Sequence, residues 1–233
     1  MTSIKKQARA AGRLYFLLAV SAPIGLMYVP GKLFVPGNAT ATADRLRASE
    51  SLLRIGIASE LFHQVVVIFL VLALYRLFKA VNESHARQMV ILGALVSVPI
   101  MFLNVLNEIA ALMLVSGADF LSVFEKGQLD ALAFLFLRLH ERGIEVAAIF
   151  WGLWLFPFGM LVIRSGFIPR FLGVLMMIAG VAYLAASFAS LIVPHYAHAV
   201  GQVAGILELG EVPIIFWLLI WGARGPQSDA PVS

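Results

Sequence analysis

Six apolar stretches dictate what this chain can become. They fall at about 10–29, 53–75, 89–115, 143–163, 169–193 and 201–222, each near the roughly 20 residues an α-helix needs to cross hydrocarbon at about 1.5 Å per residue. The chain is 61% hydrophobic and 13% charged, with a mean hydropathy of +0.93, so it lacks the polar residues needed to coat a water-soluble core. The expected fold is all-α: a six-transmembrane-helix bundle forming a single integral membrane domain over residues 1–233. Cysteine is absent, which removes disulfides, thiolate nucleophiles, cysteine-ligated zinc and iron–sulfur clusters.

Helix breakers punctuate the spans. Pro30-Gly31 and Pro36-Gly37 end the first, Asn82-Glu83-Ser84 separates the second from the third, and Gly225-Pro226 closes the last. The ends at 1–8 and 224–233 are expected to fray. Lys5, Lys6, Arg9 and Arg13 before an apolar run and Ala19-Val20-Ser21 have the outline of a secretory signal peptide. That run continues through Ile24, Leu26, Met27 and Tyr28, long enough to cross, so a retained helix is expected. Segments 40–50 and 120–142 interleave apolar and charged residues. They read as short helices along the outer surface, or, for the second, as an early extension of the fourth span back to about Leu129.

Lys5, Lys6, Arg9, Arg13, Arg76, Lys79, Arg87, Arg164, Arg170 and Arg224 fall on one side of the implied topology. Lys32, Arg45, Arg47, Arg54, Lys126, Arg138 and Arg142 fall on the other, in longer loops that also carry acids. The positive-inside rule then places both termini in the cytoplasm.

With the seventeen bases placed outside the spans, five acids remain within them: Glu60, Glu108, Glu145, Glu208 and Glu211. Each costs roughly 2.5–3.5 kcal/mol at a bilayer centre, so they must be protonated, paired or otherwise neutralised. Counted from the expected span ends, Glu60, Glu108 and Glu208 each lie about seven residues, or roughly 10 Å, below the outer boundary, with Glu145 near the top of that layer. Residues three or four apart share a helix face, which gives polar stripes of Glu60, His63 and Gln64; Asn104, Asn107 and Glu108; Glu141 and Glu145; and Glu208 and Glu211. Turned inward to escape lipid, the stripes would meet in a polar pocket opening toward the outer face.

Such a pocket admits three roles. Glu60-x-x-His63 has the spacing by which helical bundles present a carboxylate and an imidazole to one ion, so Glu60, His63, Glu108 and Glu211 could ligate a divalent metal. A two-metal centre would need a second Glu-x-x-His pair, and His140 does not sit three residues after a Glu. Carboxyls at one depth could instead move protons or cations, helped by Pro99, Pro157 and Pro213, although the cytoplasmic halves of the spans show no continuous polar path. Or the polar groups, with Ser59, could bind one another and hold the helices in register or bind a ligand, each contact contributing about 0.6–2 kcal/mol.

Other features read as ordinary. His195, His198 and Gln202 suit an exposed loop pair, the four tryptophans suit packing and the membrane interface, and Gly201-x-x-x-Gly205 suits a close helix contact. Asn38-Ala39-Thr40 matches a glycosylation triplet. No nucleophile elbow, phosphate-binding glycine loop or His-Glu-x-x-His motif is present, and nothing points to nucleic acid. The lipid bilayer is the partner the sequence implies; it names no protein partner.

Several motifs together carry a resemblance: Ala8-Arg9-Ala10-Ala11-Gly12, Ala58-Ser59-Glu60-Leu61, Asn107-Glu108, Ile168-Pro169-Arg170-Phe171-Leu172-Gly173 and Leu209-Gly210-Glu211. In this order the chain resembles bacterial multi-pass membrane proteins of the domain of unknown function 4386 type. The resemblance implies an inner-membrane helical bundle, gives Glu60, Glu108 and Glu211 as the acids most like the family pattern, and implies no activity.

Overall fold

The computed structural model describes residues 3–223, and every regular element among them is helical. Six helices are long and apolar enough to cross a membrane: α1 (Ile4–Leu33), α3 (Glu50–Phe78), α4 (Glu83–Val115), α5 (Lys126–Ser165), α6 (Arg170–Ile192) and α7 (Pro194–Trp221). The chain is a multi-pass membrane protein. Arg224, Gly225, Pro226 and Asp229 lie outside the described residues.

The helices exceed the expected spans mostly at their ends, where polar residues extend them. Of the two expected surface helices, the first is present as α2 (Ala39–Ala48). Asn38 caps it, its Oδ1 accepting from the Ala41 N–H at 2.9 Å, so the asparagine of the glycosylation triplet is a helix cap here. In place of the second surface helix is one short turn, Asp119–Leu121, after which α5 runs unbroken from Lys126. Leu129, Leu132, Ala133 and Phe136 continue the apolar face at helical spacing, and no breaker separates them from the later span.

The chain divides into two compact units. One consists of Leu18–Val66 and Val98–Ala147. Its core joins Val29 and Leu33 of α1, Leu46 of α2, Leu53 of α3 and Leu112 of α4. Phe34 and Phe134 stack with ring centroids 5.0 Å apart. The start of α5 is tied to α2 by charge: Asp130, buried, pairs with Arg47 and with Lys126 at 2.9 Å, and Lys126 also reaches Asp44 at 3.2 Å.

The other unit comprises the described residues of Met1–Leu17, Val67–Ser97 and Ala148–Ser233. Helices α5 and α6 approach through glycines: a Cβ on Gly152 would lie 2.7 Å from the Gly180 carbonyl oxygen, and one on Gly159 would lie 2.7 Å from that of Gly173. Each pair of positions is seven residues apart on its helix, so the contact repeats every two turns. Tyr15 lies among Trp154 and Phe158, and Trp151 donates from Nε1 to Ser97 Oγ at 2.9 Å. Gly201 and Gly205, expected at a helix contact, are exposed, with nothing within 4 Å of a Cβ at either.

Candidate functional site

Three helices of the first unit bring a carboxyl, a second carboxyl and an imidazole to one point. Glu60 of α3, Glu108 of α4 and His140 of α5 each offer a ligand atom, and the three atoms lie within 4.8 Å of one another. All three residues are buried. His140 Nε2 is 3.1 Å from Glu60 Oε2, an N–H···O bond when the ring carries its proton there. Glu60 Oε1 and Glu108 Oε2 are buried with no hydrogen-bond partner among the described residues.

The positions around this group fix it. Asn104, one turn before Glu108 on α4, donates from Nδ2 to the His140 carbonyl at 2.8 Å, and Asn107 donates to Asn104 Oδ1 at 3.0 Å. Space for Asn104 exists only because residue 143 is glycine: a Cβ there would stand 1.9 Å from Asn104 Oδ1. Behind Glu60, α1 widens into a π-type turn over Ile24–Tyr28, and a Cβ on Gly25 in that turn would lie 2.6 Å from Glu60 Cγ. Such widened turns recur at functional sites.

The remaining expected residues go elsewhere. His63, half a face round from Glu60, turns to α1, where its Nδ1 is 3.2 Å from Ser21 Oγ, and Ser59 Oγ donates to the Ser21 carbonyl at 3.1 Å. Positions three apart differ by about 60° around a helix, enough to aim two side chains at different neighbours. Gln64 is buried beside this face, with its Oε1 unpartnered among the described residues. Glu145 pairs with Arg142 at 2.7 Å, so of the three ways to neutralise a span acid this one is neutralised by pairing. Glu208 and Glu211 belong to the other unit, where Glu211 accepts from the Tyr15 hydroxyl.

The apolar run alone starts the fourth span at 143, which leaves His140 outside it. Once the helix is extended back to Lys126, His140 and Gly143 fall one turn apart on a single face. That pairing, a histidine and a glycine three residues apart inside a membrane helix, is the signal the sequence did hold.

A cavity of about 430 Å³ opens onto the group. Glu108 and His140 line it, together with mainly apolar side chains from α1, α2, α3 and α5. Two carboxyls and an imidazole so close, with apolar walls around them, carry charge the surroundings cannot solvate; protons or a cation must balance it. Two oxygens and one nitrogen are hard-to-borderline donors suited to a divalent ion. With metal–ligand bonds of about 2.0–2.2 Å, two ligands in a tetrahedral shell stand roughly 3.4 Å apart, so closure on an ion would draw the three atoms together by on the order of an ångström.

Against known proteins, the family model for the Domain of unknown function (DUF4386) matches residues 10–222. The chain is also similar to an uncharacterized protein of Archaeoglobus fulgidus, 36% identical over 81 residues, which are 35% of this chain and 47% of that protein. The chain thus spans about half the length of this curated relative. No solved structure matches it. With the match running from the first helix to the end of the last, the chain belongs to the DUF4386 family.

Proposed function

We propose that this chain is a membrane-embedded metal-binding protein in which Glu60, Glu108 and His140 hold one divalent cation. The supporting observation is the convergence of three buried ligand atoms within 4.8 Å, with one oxygen of each glutamate left without a partner among the described residues. Two carboxylates would balance the charge of a dication, and a carboxylate–imidazole set suits zinc, manganese or ferrous iron. Three protein ligands leave a position open, as catalytic sites do, and the cavity gives that position access to a further molecule. Asn104 would act as a positioning residue, holding His140 through its carbonyl.

Full-length protein purified without chelators should carry about one zinc, manganese or iron per chain by elemental analysis. The metal should be lost in His140→Ala and Glu108→Gln and kept in His63→Ala. Protein that stays metal-free after equilibration with each ion would overturn the assignment. A fall in thermal stability in both variants, with no metal in any form, would instead assign the group to holding the helices in register.

The proposed setting is the bacterial inner membrane, with both termini cytoplasmic. The surplus of bases at Lys5, Lys6, Arg9 and Arg13 and around Arg76 and Lys79 supports that orientation.

A further inference from the structure

We infer that the cavity beside the three-ligand group binds a single-chain amphipath, an acyl chain with an oxygen-bearing head, oriented with its head at Glu108 and His140. This rests on the metal assignment for the head and on the cavity itself for the chain. The cavity has about 430 Å³, within the roughly 300–1,000 Å³ of small-molecule sites. A methylene takes about the space of a water molecule, about 30 Å³, so the cavity holds about fourteen chain carbons, most of one palmitoyl chain, and excludes a lipid with two full chains.

Its lining joins two kinds of group. Glu108 and His140 are the buried polar side chains, and the apolar Leu137 lies a turn before His140 on α5. Leu33, Leu46 and Leu53 form the apolar wall and belong to the same core as Leu112, a turn beyond Glu108 on α4. Exposed Gly31, Pro36 and Glu141 border the cavity, giving a way in. A bound cation with an open position would take a carboxylate, ester or phosphate oxygen there. Without an ion, protons must balance the two carboxyls, and no open metal position remains to take the head.

The test uses full-length protein in phosphatidylcholine nanodiscs, with radiolabelled palmitate and palmitoyl-lysophosphatidylcholine as probes. One or both should bind saturably, near one per chain, and Leu53→Trp, which fills the apolar wall, should weaken binding at least tenfold without altering metal content. Should Leu53→Trp fail to fold, Ile144→Phe at the half-buried wall serves the same purpose. Tighter binding of palmitate would identify a free fatty acid as the source, and tighter binding of the lysolipid a membrane lipid.

Binding no greater than to empty discs, or unchanged by folded Leu53→Trp and Ile144→Phe, would overturn the inference while leaving metal binding intact. Protein that stays metal-free after equilibration with each ion yet binds palmitate in a Leu53→Trp-sensitive manner would uphold the chain site and overturn the metal assignment. Loss of palmitate affinity in His140→Ala, together with loss of metal, would support the head's position.

Discussion

Asn104 fills the space that a side chain at Gly143 would need, with its Oδ1 1.9 Å from where a Cβ would stand. The same asparagine donates to the carbonyl of His140, so a glycine on α5 sets the position of a histidine one turn earlier by way of α4. Gly143→Ala should therefore displace Asn104 and loosen His140. The expected result is a 10–100-fold weaker metal affinity, as for lost outer-shell partners, with a stability loss of about 1–3 kcal/mol from overpacking. Metal titration and thermal unfolding would measure the two effects. Gly201→Ala, with open space around it, is the control and should change neither.

Glu60 depends on a glycine in the same way. A Cβ on Gly25 would stand 2.6 Å from Glu60 Cγ and 3.2 Å from the Gly56 carbonyl oxygen, so Gly25→Ala must push either the carboxyl or the widened turn of α1. Metal binding should weaken at least tenfold in Gly25→Ala, and Gly31→Ala, which meets nothing within 4 Å, should leave it unchanged. Equal affinity in the two variants would show that Glu60 is not a ligand.

Acid should release the metal. Carboxylate and imidazole ligands bind an ion only when deprotonated, so protons compete with the cation and metal binding expels them. Affinity is therefore greatest at neutral to mildly alkaline pH and falls as pH drops. Isothermal titration in two buffers of different ionisation enthalpy would count the protons released. A proton count of zero, with affinity flat across the acid range, would contradict ligation by this group.

The six spans are legible in the sequence because hydrocarbon tolerates few alternatives to long apolar helices, and Glu60 and Glu108 stand out because acids in such helices need a reason. The depth of each acid is less legible. Counting from the ends of the apolar runs places Glu208 about 10 Å along its helix, but α7 starts at Pro194, not near 201, which puts it about 21 Å along. His140 is obscured for the same reason, because its helix begins before the apolar run does. The direction of His63 toward Ser21, in contrast, is set by packing against α1, and helical spacing alone does not encode it.

Arg47 and Asp130 offer a test of stability separate from the site. The Asp130 side chain is 2% exposed and the Arg47 side chain 28%, so the pair is anchored on a buried acid at the start of α5. Lys126, the other partner of Asp130, is 62% exposed and lies one turn away on the same helix; its own link to α2 runs to the exposed Asp44 at 3.2 Å, so Arg47 alone joins the buried carboxylate to α2. Arg47→Ala should lower stability by about 1–3 kcal/mol by leaving a buried carboxylate short of a partner. Removing both charges, in Arg47→Met with Asp130→Leu, should recover much of that loss, since apolar replacement spares the desolvation of two ions. Thermal unfolding of the single and double variants would measure the coupling. Metal content should stay at the wild-type level throughout, because the network touches none of the three ligands.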